Sequence, residues 1–137
     1  MARIRIIEAQ AIDWQPVAAA VPPDVAARMS RAEREADVRI LHSGQNGQAQ
    51  LFEARIAADE IVSLHAHAAD EIIYILDGEL RMGRKRLGPG SSAYICGNTL
   101  YGFSAGADGV RFLNFRAAAN TPFITRDEFM AAQKKAR

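Results

Sequence analysis

The chain has 137 residues, of which 49% are hydrophobic and 24% charged, an ordinary balance for one globular domain and not for a disordered or fibrous chain. Seventeen basic residues offset sixteen acidic ones, for a net charge of +1, and the basic ones are scattered, which argues against a polyanion such as nucleic acid as partner. A single cysteine, Cys96, cannot form an internal disulfide, and neither a signal-peptide core behind Arg3 and Arg5 nor a membrane-length apolar run is present, the longest bulky one being Ile72 to Leu76; a cytoplasmic protein is expected.

Arg3-Ile4-Arg5-Ile6 alternates polar and apolar residues with period two and reads as an edge strand. Between Val21 and Asp37, Pro22-Pro23, Asp24 and a Ser30/Glu33 capping-box spacing predict one or two short helices, with an ordered arm lacking regular structure as the alternative. From Val38 onward, apolar segments of strand length are separated by turn residues at 43–47, 77–78, 88–90, 96–98 and 106–109, the rhythm of a β-sandwich or barrel. Asp77-Gly78 is the strongest hairpin signal and predicts a turn joining Ile72–Leu76 to Glu79–Met82. After a last strand over Val110–Arg116, Thr125 and Glu128 form a second capping box, and acids followed by Lys134, Lys135 and Arg137 suit the two ends of a C-terminal helix. The expected organisation is one domain over 1–137, with an arm (1–37), a barrel core (38–116) and a tail ending in a helix (117–137).

Chemistry concentrates at His65-Ala66-His67 with Glu71 beyond it. Side chains alternate across a strand, so the two imidazoles share a face, and a short turn at 68–70 lets the Glu71 carboxylate return to it. Two imidazoles and one carboxylate can hold a divalent cation with coordination positions left open, although a surface strand can also carry two histidines by chance. By the same alternation Ser63 goes with His65, Ile73 and Ile75 with Glu71, and Phe103 with Tyr101; with Phe52, Ala54 and Ile56 they outline a mainly apolar pocket for a small, partly hydrophobic organic molecule. Tyr74 falls on the opposite face. Cys96 reads as a structural thiol, His42 as a strand-end residue, and Arg111 and Arg116 as solvated.

These residues resemble the cupins, whose first motif has glycine, His-x-His, glutamate and glycine; His65, His67, Glu71 and Gly78 match its spacing, with Asp59 at the first glycine. The second motif aligns from Gly90 to Ala105, with Tyr101 where its histidine belongs. The resemblance implies an all-β double-stranded β-helix, a jelly-roll barrel holding a metal by three histidines and one glutamate. It leaves Tyr101 as a fourth ligand, as a general acid or hydrogen-bond donor beside a three-ligand metal, or as the mark of a barrel that has lost its metal. It further implies a metal-dependent enzyme with His65, His67, Glu71 and Tyr101 at a divalent metal and Tyr101 and Glu71 as catalytic groups. Iron(II) comes before manganese, nickel or zinc, and a dioxygenase before a non-redox lyase, dehydratase or isomerase and before a non-catalytic binding barrel. An N-terminal arm with Trp14 that exchanges edge strands would make the protein a homodimer.

Overall fold

A computed structural model of the chain describes residues 3–119 and 122–136. Among these, nine strands form one curled antiparallel sheet: β1 (Gln15–Pro16), β2 (Asp37–Ser43), β3 (Gln50–Ile56), β4 (Ile61–His67), β5 (Glu71–Met82), β6 (Lys85–Leu87), β7 (Ser92–Ile95), β8 (Tyr101–Arg116) and β9 (Phe123–Thr125). The helices are α1 (Val17–Ala20), α2 (Pro23–Arg28), α3 (Arg31–Glu35) and α4 (Arg126–Lys135). This is an all-β jelly-roll barrel with an N-terminal helical arm and a C-terminal helix. No helix among the described residues is long and apolar enough to cross a membrane.

The long strand β8 closes the barrel. Its second half pairs with β3 from Gln50↔Arg116 to Ile56↔Val110 and with the first half of β5, while its first half pairs with β4 and the end of β5. Residues 106–109 therefore do not make the predicted turn between strands; they bulge within β8, where the register with β5 jumps from Gly78↔Val110 to Leu80↔Ala105. The predicted Asp77-Gly78 hairpin is corrected for the same reason. Strand β5 runs through it, because hydrogen bonding to β8 on both sides of the bulge outweighs the local turn preference, and Gly78 uses its positive φ of 75° to make the bulge. The hairpin lies further on, where Met82↔Lys85 closes a two-residue turn with Gly83 at φ 59°.

Strand β5 alternates buried and exposed residues, sending Ile73, Ile75 and Leu80 into the core and Tyr74 outward. Phe112, Val110 and Ala105 of β8 meet them there. A ninth strand, which the sequence pattern did not reveal, pairs Phe123–Thr125 with His65–His67.

In the arm, Ser30 accepts from the Glu33 backbone and Glu33 reaches back to Ser30, the predicted capping box, and α3 ends at buried Ala36. The expected strand at Arg3–Ile6 does not form, and Ile4 and Ile6 stay 79% and 81% exposed. The edge of β2 is instead taken by Gln15–Pro16, and Arg39 holds the carbonyl of Ala9. Trp14 packs against the guanidinium groups of Arg39 and Arg55, whose Cζ atoms lie 5.0 and 4.2 Å from its ring centroid, so the arm packs on its own barrel. At α4, Thr125 caps the Glu128 backbone, while the Glu128 carboxylate pairs with Arg28 of the arm. Lys134 and Lys135 occupy the last turn, and Arg137 lies outside the described residues.

Candidate functional site

Inner faces of β2, β3, β4 and β8 and the helices of the arm enclose a cavity of about 460 Å³. Its wall is mainly apolar, from Val17, Val25 and Met29 on the arm to Ile40, Phe52 and Phe103 on the barrel; its polar lining comprises His65, His67 and Arg116 together with Arg28, Glu33 and Gln50. Of the residues predicted to line a pocket, Phe52, Ala54, Ile56 and Phe103 do. Ile73 and Ile75 are instead fully buried in the core, and Ser63 faces outward. A register shift between Val62 and His65 breaks the alternation of β4, exposing Ser63 and Leu64 together. A second recess of about 480 Å³ is lined by carboxylates and arginines, including the Asp37–Arg55 ion pair, and contains no histidine.

The β4 bulge also fixes one imidazole. The His65 ring turns Nδ1 onto the Ser63 carbonyl at 2.8 Å. A carbonyl only accepts, so Nδ1 carries the hydrogen and Nε2 of the neutral ring keeps its lone pair. Phe123 stacks against this ring at 5.2 Å between centroids, and Tyr101 lies against it at 4.5 Å.

Glu71 is 1% exposed and fully engaged. One oxygen accepts from the Tyr101 hydroxyl; the other accepts from Asn114 Nδ2 at 3.2 Å and Arg116 Nε at 2.9 Å. Burial pushes the carboxyl upward, but the Arg116 charge and these hydrogen bonds hold it below the ordinary glutamate value. Tyr101 responds oppositely: burial and then the Glu71 charge raise its phenol well above 10, so it stays a donor.

Arg116 departs from the solvated reading. Its side chain is only 16% exposed, stands opposite Glu71 in the β5–β8 register, and places Nη2 at 3.2 Å from His67 Nε2. Parity along β8 carries the missed signal: Arg116 shares the inward face of Phe112 and Asn114, whereas Arg111 lies on the other and pairs with Glu53. Cys96 sits exposed in a turn, and His42 lies on β2 away from the cavity.

His67 accepts from Arg116, so its hydrogen sits on Nδ1, which is buried without a well-formed hydrogen bond; the Pro122 backbone favours protonation only weakly. Burial, and secondarily the Arg116 charge, lowers this imidazole from 6.5 to about 3. Because the folded value lies below the unfolded one, the unfolded chain binds a proton that the folded ring refuses. Stability from this group is therefore complete above pH 6.5 and falls as pH drops toward about 3, at roughly 1.4 kcal/mol per pH unit. Thermal midpoints measured from pH 7 to 5 should decline in the wild type and flatten in His67→Gln; equal slopes would contradict this placement of His67.

His65 and His67 share one side with centroids 5.1 Å apart, but among the described residues no group of three or more histidine, cysteine or carboxylate side chains could hold a metal ion. Glu71 and Tyr101 bond each other, and the Arg116 guanidinium bridges Glu71 and His67. As arranged, the donors do not fit a metal ion.

Among solved structures, the chain is similar to an RmlC-like cupin protein from Ralstonia eutropha JMP134, with 11% identity over 96% of this chain and 83% of that one and a TM-score of 0.69. It is similar to the polyketide cyclase RemF from Streptomyces resistomycificus, with 18% identity, 95% and 93% coverage and a TM-score of 0.66. KdgF from Halomonas sp. matches with 17% identity, 67% and 87% coverage and a TM-score of 0.55. No family model matches the sequence, and no curated protein does.

Proposed function

We propose that this chain, which has the cupin jelly-roll fold, is a non-redox lyase or isomerase that moves a proton on a small, largely apolar ketone. The observation that carries this reading is His65, whose Nδ1 is locked on the Ser63 carbonyl, leaving Nε2 as a base on the wall of an apolar cavity that also contains the partly buried Arg116. Fold alone does not choose among reactions. A polyketide cyclase is among the solved structures with this fold.

In this reading His65 Nε2 takes a proton from the carbon beside the carbonyl. The C–H electron pair moves into the C–C bond as the carbonyl oxygen becomes an enolate oxygen, whose charge faces the Arg116 guanidinium. In a β,γ-unsaturated ketone, return of the proton at the γ carbon of the dienolate moves the double bond into conjugation and completes an isomerisation; in a ketone with a β leaving group, departure of that group with its electron pair completes an elimination. Tyr101 and Glu71 act as positioning residues, since both are tied to each other and through Glu71 to Arg116.

The metal-dependent dioxygenase implied by the sequence resemblance requires His65, His67, Glu71 and Tyr101 to converge on iron(II) or on manganese, nickel or zinc. With Glu71 engaged by Tyr101, Asn114 and Arg116, that convergence is not the arrangement of these side chains. A non-catalytic binding barrel is separated by turnover. In D2O, proton NMR of 1-phenylpropan-2-one and acetylacetone should show exchange beside the carbonyl accelerated by the wild type and reduced about 10²–10⁴-fold in His65→Ala. Undiminished exchange in a folded His65→Ala protein would reject the assignment, and binding without exchange would favour a receptor.

A further inference from the structure

We infer that Arg116 is the resident cation of this barrel, a guanidinium held where a divalent ion would otherwise bridge the histidine pair and Glu71. Its register, its hydrogen bonds and an aromatic contact place it there. It faces Glu71 directly across the β5–β8 pair, so the fold delivers its charge to that carboxylate. Its Nε and Nη2 engage Glu71 Oε2 and His67 Nε2, the lone pairs that a metal would use, and an arginine can only donate to them. It also lies over the Phe52 ring, with Cζ 5.3 Å from the centroid, a cation–π contact that helps hold the guanidinium.

Charge makes the two occupants mutually exclusive. The Arg116 guanidinium already balances the Glu71 charge, and a divalent ion entering beside His67 would meet that positive charge within contact distance. The tethered cation also cannot be removed by a chelator. Arg116 Nη1 makes no hydrogen bond among the described residues, and Arg116 lines the cavity, so the side chain combines charge neutralisation of Glu71 with a free donor for an oxyanion. Removing Arg116 frees His67 Nε2 and the Glu71 lone pair it held, beside His65, so that rearrangement of these side chains, with Glu71 leaving Tyr101 and Asn114, is what metal uptake by the variants requires.

Cobalt(II) is the probe, because its visible absorption reports coordination and its binding is read without turnover. Wild-type protein stripped with chelator should take up no stoichiometric cobalt and show no thermal shift with it. Arg116→Ala, and Arg116→Gln, which keeps an amide donor for Glu71, should bind a single equivalent, develop the visible bands and gain thermal stability on adding cobalt. If neither variant folds alone, refolding in cobalt should recover them. A wild type that binds one cobalt per chain, lost in His67→Ala, overturns the inference, as do folded variants that bind none. The inference is independent of the ketone reaction: cobalt uptake by a wild type that still exchanges protons would overturn it and leave the proton-transfer reading standing.

Discussion

Arg116→Ala is expected to cost the fold about 3–5 kcal/mol near neutral pH, because it strands the Glu71 carboxylate in the barrel without its counter-charge. Glu71 is held ionised against burial by Arg116 and by the Tyr101 and Asn114 hydrogen bonds. Without the arginine, burial dominates and the carboxyl shifts upward, so part of the penalty is relieved by protonation. The loss should therefore be larger at pH 8 than at pH 5, a sign opposite to general acid destabilisation. Urea unfolding of the wild type, Arg116→Ala, Glu71→Gln and the Glu71→Gln/Arg116→Ala double variant at both pH values checks this. The double variant should be more stable than Arg116→Ala alone, since removing both charges leaves neither unpaired. Additive losses would mean that the two side chains do not depend on each other.

Gly78→Ala should cost about 2–5 kcal/mol, the sum of a left-handed φ at a residue with a side chain and an overlap with neighbouring backbone. Gly78 has φ 75°, and an added Cβ would stand 2.2 Å from the carbonyl oxygen of Gly109 in β8. The two strands would have to part at the bulge where β8 passes from one pairing to the next. Gly83→Ala is the matched control: φ is 59° but nothing lies within 4 Å of the added Cβ, so only the conformational cost of roughly 1–2 kcal/mol remains. Similar losses in chemical denaturation for the two variants would contradict close approach at Gly78.

Short range accounts for both the successes and the failures of the sequence reading. The Ser30/Glu33 box, the Thr125 cap and the inward alternation of Ile73 and Ile75 are all present in the structure. Each depends on residues within one turn or one strand, where backbone hydrogen bonding and period-two geometry leave few choices. The Asp77-Gly78 hairpin failed because turn preference is worth little against two long ladders formed with β8, a partner about thirty residues away. The strand at Arg3–Ile6 failed because alternation does not supply a free edge to pair with.

By itself, the sequence determined a sandwich or barrel from its short strand-length segments, the jelly-roll class through its resemblance to the cupins, and the juxtaposition of His65, His67 and Glu71 through the local geometry of the His-x-His strand and the turn after it. Tertiary structure decided what that group does. Cross-strand register brings Arg116 to Glu71 from 45 residues away, and the β4 bulge turns Ser63 out and aims its carbonyl at His65. Neither residue carries a local signature of its role, because an arginine becomes a buried counter-ion only when another strand places a carboxylate opposite it.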